Sequence, residues 1–263
     1  MNAVLDVRNL DVTYAGGHRA VHDVSFAMAP GEMVGLVGES GSGKSTLGLA
    51  VMRLLGTRAR IAISSRVSLE GRELLDLDER EMCAVRGRLM SMVFQEPAAA
   101  LNPVMRVGDQ IAEVVRLHGE RSRGAALERA IAMMERAGVP QPGRRAFAYP
   151  HELSGGLRQR VMIAMALVLQ PAVIIADEPT SALDVTVQAQ ILELLLQLQR
   201  ESGTAVLLIT HDLGIVAEAC SRALVMRAGA LVEAAPVDQL FRAPAHPYTA
   251  ELLRAVPRIR KSA

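Results

Sequence analysis

The chain has 263 residues, half of them hydrophobic, with 29 basic and 28 acidic side chains and a formal net charge of +1. That length and apolar share suffice for the core of an α/β unit, and so small a net charge gives no sign of a nucleic-acid surface. The two cysteines, Cys83 and Cys220, stand far apart and isolated, which excludes a disulfide framework and a cysteine metal site and agrees with a reducing compartment.

The opening segment MNAVLDVRNLDVTY alternates enough to be a strand, with Gly16-Gly17 as the turn after it. It lacks a basic segment followed by an apolar core, so no secretion signal is expected. Met33 to Val37 is an apolar run, GESGSGKST follows at 38–46, and Leu47 to Leu55 has a helical composition. Strand, glycine-rich loop and helix in that order predict a phosphate-binding loop. Gly38, Gly41 and Gly43 let the backbone turn its N–H groups inward, with Glu39, Ser40, Ser42 and Thr46 completing the cradle. The helix N-terminus adds a field that favours anions. Lys44 then reaches the outer phosphates of a nucleotide and Ser45 places its hydroxyl on Mg²⁺. Only two lysines occur, Lys44 and Lys261. The lysine at 44 is therefore a choice against arginine, because a compact ammonium fits a phosphate cradle where a planar guanidinium fork does not.

Ile61 to Leu75 predicts further strands around a turn at Glu70-Gly71. After Gln95 comes Ala98 to Met105, a strongly apolar loop in which Pro103 stops a helix, and Leu101 and Val104 are expected to form a partner-facing wall. From about Leu101 to Leu157 the pattern turns helical, with Val107, Ile111, Val114, Val115 and His118 in one series and Leu127, Ile131 and Met134 in another. Ser154 is placed to cap a helix starting at Gly155, and two glycines directly behind a cap open a helix poorly unless something approaches the backbone closely. Val161 to Leu169, the longest apolar run, is half what a membrane span needs.

Ala172 to Ala176 reads as a fully buried strand. Asp177 at its end is placed to hold Mg²⁺ through water, and Glu178 to act on an attacking water; with Pro179 and Thr180-Ser181 behind them, a plain charged strand end is the alternative. Thr204 to Ile209 is another buried strand, which brings His211 to the edge where open α/β sheets bind their ligands. Leu224 to Val232 predicts a last strand pair turning at Arg227 to Ala230, and the proline- and arginine-rich tail from Phe241 is expected to be only partly ordered.

LSGGLRQR at 153–160 followed by DEPTSALD at 177–184 resembles the signature motif, Walker B and D-loop of ABC-type ATPases, and the resemblance covers nearly the whole chain. Within that family QEPAAALNPVMRVGDQI (95–111), HELSGGLRQRVMIAMAL (151–167) and HPYTAELLRAVP (246–257) are most similar to the ATPase subunits of oligopeptide, dipeptide and nickel importers. The resemblance implies an α/β fold with a P-loop (RecA-like) core, an antiparallel β subdomain and an inserted helical subdomain. The expected division is a core with β subdomain at 1–94 and 161–240, a helical subdomain with the signature at 95–160, and a short C-terminal tail at 241–263. It further implies that Tyr14 stacks on adenine, that Gln95 contacts Mg²⁺ and the attacking water, and that His211 holds the γ-phosphate. Ser154, Gly155 and Gly156 would bind the γ-phosphate of a nucleotide held by the opposing subunit, and Asp184 would lie at the dimer seam.

The assembly implied is a second, non-identical ATPase subunit, two permease subunits and an external solute-binding protein, with ATP and Mg²⁺ as cofactors and no nucleic acid. Such a chain would sit on the cytoplasmic face of the cell membrane, held there by its permeases. Peptide import is the reading adopted; nickel or metal-chelate import stays open, since the substrate is chosen by other proteins. A soluble ABC-type ATPase of DNA repair or translation shares every nucleotide motif, but this chain has no long heptad insertion, second ATPase domain or basic tail.

Overall fold

A computed structural model describes residues 3–181 and 183–255. In chain order the elements are β1 (Leu5–Tyr14), β2 (Arg19–Met28), β3 (Met33–Val37), α1 (Lys44–Val51), β4 (Ala59–Ile61), β5 (Arg66–Leu69), β6 (Arg72–Glu73), α2 (Glu79–Val85) and β7 (Met90–Val93). There follow α3 (Pro97–Ala100), α4 (Val107–Leu117), α5 (Arg123–Arg136), α6 (Pro142–Arg145), α7 (Gly155–Leu167), β8 (Val173–Asp177) and α8 (Val185–Ser202). The last are β9 (Ala205–Ile209), α9 (Leu213–Ala219), β10 (Arg222–Arg227), β11 (Ala230–Pro236), α10 (Val237–Arg242) and α11 (Pro247–Ala255). The chain forms two compact units, one made of the residues up to Leu75 and from Leu207 on, the other of Asp76–Val206.

In the first unit β1 pairs antiparallel with β2, β4 and β5, and the strand order is β2-β1-β5-β6. Leu5, Val7, Leu10 and Val12 of β1 are all buried, although a strict two-residue alternation would carry Leu10 and Val12 to the opposite face from Leu5 and Val7. A register shift between Val7 and Leu10, with Asn9 at φ 48°, resets the alternation and keeps all four inward. β3 lies parallel to β10, β10 antiparallel to β11, and the Thr210 N–H donates to Leu36 O (3.1 Å), fixing the end of β9 beside β3. A Cβ on Gly35 would stand 2.8 Å from Val216 Cγ1. Glycine there is what lets α9 lie against β3.

The segment expected to be only partly ordered is described as far as Ala255. There it holds the end of α10 and all of α11, with Tyr248 buried; residues 256–263 lie outside the described residues. Pro247 does not break the helix, because it occupies the first helical position, where a missing N–H costs nothing.

In the second unit β7 and β8 pair in parallel and both are buried throughout. α4 buries Val107, Ile111 and Val115 of its expected series. α5 instead buries Ala126, Ala130, Met133 and Met134, so of the expected Leu127, Ile131 and Met134 only the last is buried and the first two are half-buried, the inward face being turned by one residue toward the small alanines. α2 starts at a capping box between Asp78 and Glu81, and α8 starts at Asp184, whose carboxylate accepts the Val187 N–H (3.0 Å). No described helix is long and apolar enough to cross a membrane. Cys83 is exposed; Cys220 is buried, and burial pushes its thiol up to about 12, an inert side chain.

Candidate functional site

The first unit holds the glycine-rich loop between β3 and α1. Its shape is dictated at two positions. Gly38, at φ 152°, has no room for a side chain, because a Cβ would stand 2.1 Å from Met226 O. Gly43, at φ 103°, directly precedes α1, and a Cβ there would meet Ala20 O at 2.3 Å. Between them the Lys44 ammonium, only 6 % exposed, donates to Gly38 O and Glu39 O, each at 2.8 Å. Among the described residues Ser42 Oγ, which is buried, finds no hydrogen-bond partner, an orphan that phosphate oxygens in the loop would satisfy. Glu39, Ser40, Gly41 and Ser45 are exposed. Tyr14, the last residue of β1, is half-buried, and its hydroxyl lies 3.4 Å from Thr46 Oγ1 on α1, so the aromatic candidate stands beside the loop.

His211 follows β9 and is exposed, and it lines a cavity of about 300 Å³ together with Val37, Gly38, Asp212, Leu213, Leu252 and Ala255. The histidine and the start of the phosphate loop thus share one cavity. Asp212 has a different task from its neighbour, since its carboxylate caps α9 by accepting the Gly214 (2.7 Å) and Ile215 (3.3 Å) N–H groups.

In the second unit β8 delivers Asp177, 6 % exposed, at its last position and Glu178 just beyond. Glu178 takes φ 43°, a left-handed conformation that costs a non-glycine residue about 1–3 kcal/mol and concentrates at functional sites. Its Oε2 accepts a hydrogen bond from Gln95 Nε2 (3.1 Å), so two residues 83 positions apart in sequence meet at one carboxylate. Ser154 stands at the N-cap of α7, as its sequence position implies, but its hydroxyl makes no capping bond. Ser154 and Gly155 are exposed, while a Cβ on Gly156 would come within 2.9 Å of Val187 Cγ1. The start of α7 therefore presents the N-terminal N–H end of a helix and a hydroxyl not used for capping, an arrangement that suits an anion.

The ABC transporter family model matches residues 21–181, and the model described as the oligopeptide/dipeptide transporter C-terminal region matches residues 232–263. The chain belongs to the ABC transporter ATPase family. The oligopeptide transport ATP-binding protein OppD of Salmonella typhimurium is 50 % identical over 98 % of this chain and 77 % of its own length. OppD of Bacillus subtilis is 47 % identical over 98 % of this chain and 73 % of its own length. Among solved structures, the dimeric post-hydrolysis state of the ATP-binding cassette MJ0796, bound to ADP and Pi, superposes with a TM-score of 0.78 at 29 % identity, covering 89 % of this chain and 98 % of that one. The cbiO1 protein of Clostridium perfringens, part of the ABC transporter complex cbiONQ, gives 0.77 at 26 % identity over 92 % and 91 %. As an ABC transporter ATPase the chain binds and hydrolyses ATP, on an α/β fold with an antiparallel sheet and helical elements.

One expectation for this ABC ATPase changes on its structure. Leu101 is 1 % exposed and belongs to the core, whereas Val104 is 78 % exposed, so only the latter is available to a partner. The loop between them is fixed by buried Gln110, whose amide bonds the Asn102 and Met105 backbone (2.9–3.0 Å). The residue that sequence reasoning passed over is Tyr248. Its hydroxyl accepts the backbone N–H of Glu39 in the phosphate loop (3.1 Å), and its only signal was its place in the HPYT stretch.

Proposed function

We propose that this ATPase closes head to tail with a second, non-identical ATPase subunit around ATP and so drives import of oligopeptides or dipeptides. The observation that carries the substrate class is the oligopeptide/dipeptide transporter C-terminal region at 232–263, joined to the names of the OppD relatives. The dimeric MJ0796 cassettes support the pairing. Each subunit supplies its phosphate loop to one nucleotide and its LSGG segment to the other. The γ-phosphate then touches both subunits, a contact ADP cannot make, and only such differential binding shifts a conformational equilibrium.

Within that closed state Glu178 takes a proton from the attacking water, whose oxygen bonds the γ-phosphorus as the bond to the β–γ bridging oxygen breaks, leaving ADP and phosphate. Gln95 orients the carboxylate through the bond described above, Tyr14 stacks on adenine, and His211 holds the γ-phosphate. The Ser45 hydroxyl, Asp177 carboxylate and Gln95 amide are oxygen donors of the kind a hard cation takes. When bound, Mg²⁺ neutralises charge developing on the phosphates.

The partners proposed are two permease subunits and an external solute-binding protein, with the ATPase held peripherally at the cytoplasmic face. The helical segment 95–160 would carry the closing motion to the permeases, with exposed Val104 at the contact. In proteoliposomes holding the complete transporter, the peptide-loaded binding protein should raise ATP hydrolysis several-fold. Stimulation by a nickel chelate in place of peptide would move the chain to the nickel branch.

Ser154→Arg should spoil the partner's site and leave this chain's own ATP binding within about twofold of wild type, since the exposed α7 start is remote in sequence from the phosphate loop and makes no capping bond. A fluorescent ATP analogue on the isolated subunit, set beside hydrolysis by the assembled pair, separates the two effects. Loss of binding in the isolated subunit would assign Ser154 a structural role instead.

A further inference from the structure

The C-terminal helix reaches the nucleotide site by three linked contacts within the first unit. Glu233 of β11 accepts the backbone N–H groups of Ala245 (2.8 Å) and His246 (3.0 Å), which fixes where the final helix begins. His246 Nδ1 then accepts the Tyr248 N–H (3.2 Å), serving as a cap in front of Pro247. Tyr248, 1 % exposed, lies with its ring 4.6 Å from the Arg227 guanidinium carbon, and its hydroxyl accepts the Glu39 N–H at 3.1 Å. One and two turns further along α11, Leu252 and Ala255 wall the cavity shared by Gly38 and His211.

Each residue of the His246-Pro247-Tyr248 triplet has a geometric use in this arrangement. The histidine caps, the proline opens the helix, and the tyrosine carries a hydroxyl to the loop. The ring is held rigidly between β10 and the loop, so the hydroxyl is presented with little freedom left to lose. The neighbouring Glu39 O accepts from Lys44 Nζ. The peptide unit that Lys44 grips and the N–H that Tyr248 grips therefore belong to the same loop residue, on opposite sides of it.

We propose that the His246-Pro247-Tyr248 segment is a built-in clamp on the phosphate loop, in which Tyr248 is a positioning residue that fixes the Glu39 shoulder so that Lys44 and the loop N–H groups face the nucleotide phosphates. The proposal rests on the reading of this loop as the ATP site. It makes the C-terminal region part of nucleotide binding, so that whatever displaces α11 loosens the grip on ATP.

Tyr248→Phe removes the hydroxyl alone and keeps the ring against Arg227. In the assembled transporter this variant should raise the KM for ATP about three- to tenfold, the range of one lost hydrogen bond, while kcat at saturating ATP stays at the wild-type value. Glu233→Gln, which loosens the anchor without touching the loop, should raise KM in the same direction by a smaller factor. An unchanged KM in both variants overturns the clamp, as does a fall in kcat with KM unchanged. A lowered thermal midpoint with an unchanged KM also overturns it, because the ring would then only fill space. Failure of the wild-type transporter to hydrolyse ATP would instead sink the ATP-site reading itself.

Discussion

Glu178→Gln is expected to retain ATP and to lower steady-state hydrolysis about 10²–10⁴-fold, the span a positioned general base supplies. The geometry makes this substitution specific. Glu178 is held by a left-handed backbone at φ 43° and by the Gln95 Nε2 bond to its Oε2. An amide has the same size and keeps an oxygen that accepts from Gln95, so side-chain position and backbone are both preserved. What disappears is the proton acceptor. In the head-to-tail pair proposed above, whose closure rests on the γ-phosphate, the variant should accumulate with ATP trapped between subunits. Hydrolysis and retained nucleotide measured on the complete transporter check both halves. Turnover near the wild-type rate would remove Glu178 from the role of base and leave its strained backbone without an explanation.

The parts of this site that sequence revealed were those in which a buried strand ends at a chemically marked residue. β3 runs into Gly38 and β8 into Asp177, and each apolar run is bounded so sharply that strand and site residue come from one pattern. β1 was harder to read, because its inward set depends on Asn9 leaving the strand conformation, and no two-residue pattern encodes that. The loop from Leu101 to Val104 has no period, so nothing in its composition says that Leu101 turns inward and Val104 outward. α2 had a local signal, the Asp78–Glu81 capping box, within a helix of 7 residues too short to show an apolar stripe. Tyr248 was hidden for a different reason. Its partner is 209 residues away in sequence, and the prolines around it share the composition of a disordered tail. Long-range hydrogen bonds to backbone leave no trace in a single sequence, whereas loops that must bind phosphate by backbone carry their glycines in plain view.

Lys44→Ala should weaken ATP binding about ten- to a hundredfold, matching about 1.5–3 kcal/mol for hydrogen bonds to a charged group, and Lys44→Arg should bind no better than the alanine variant. The space around Lys44 decides the second half. Its Nζ donates to the carbonyls of two successive residues, Gly38 and Glu39, both at 2.8 Å, from a side chain only 6 % exposed. A tetrahedral ammonium can turn its three donors to adjacent carbonyls and still present one to a phosphate. A guanidinium is planar and longer, with its donors fixed in one fork. The loop has no slack to receive it, since even a methyl group on Gly38 would press against Met226 O at 2.1 Å. Charge is the same in lysine and arginine, so the comparison isolates shape. Titration of the full chain with a fluorescent ATP analogue gives the affinities, and wild-type binding by Lys44→Arg would show that charge alone is what position 44 supplies.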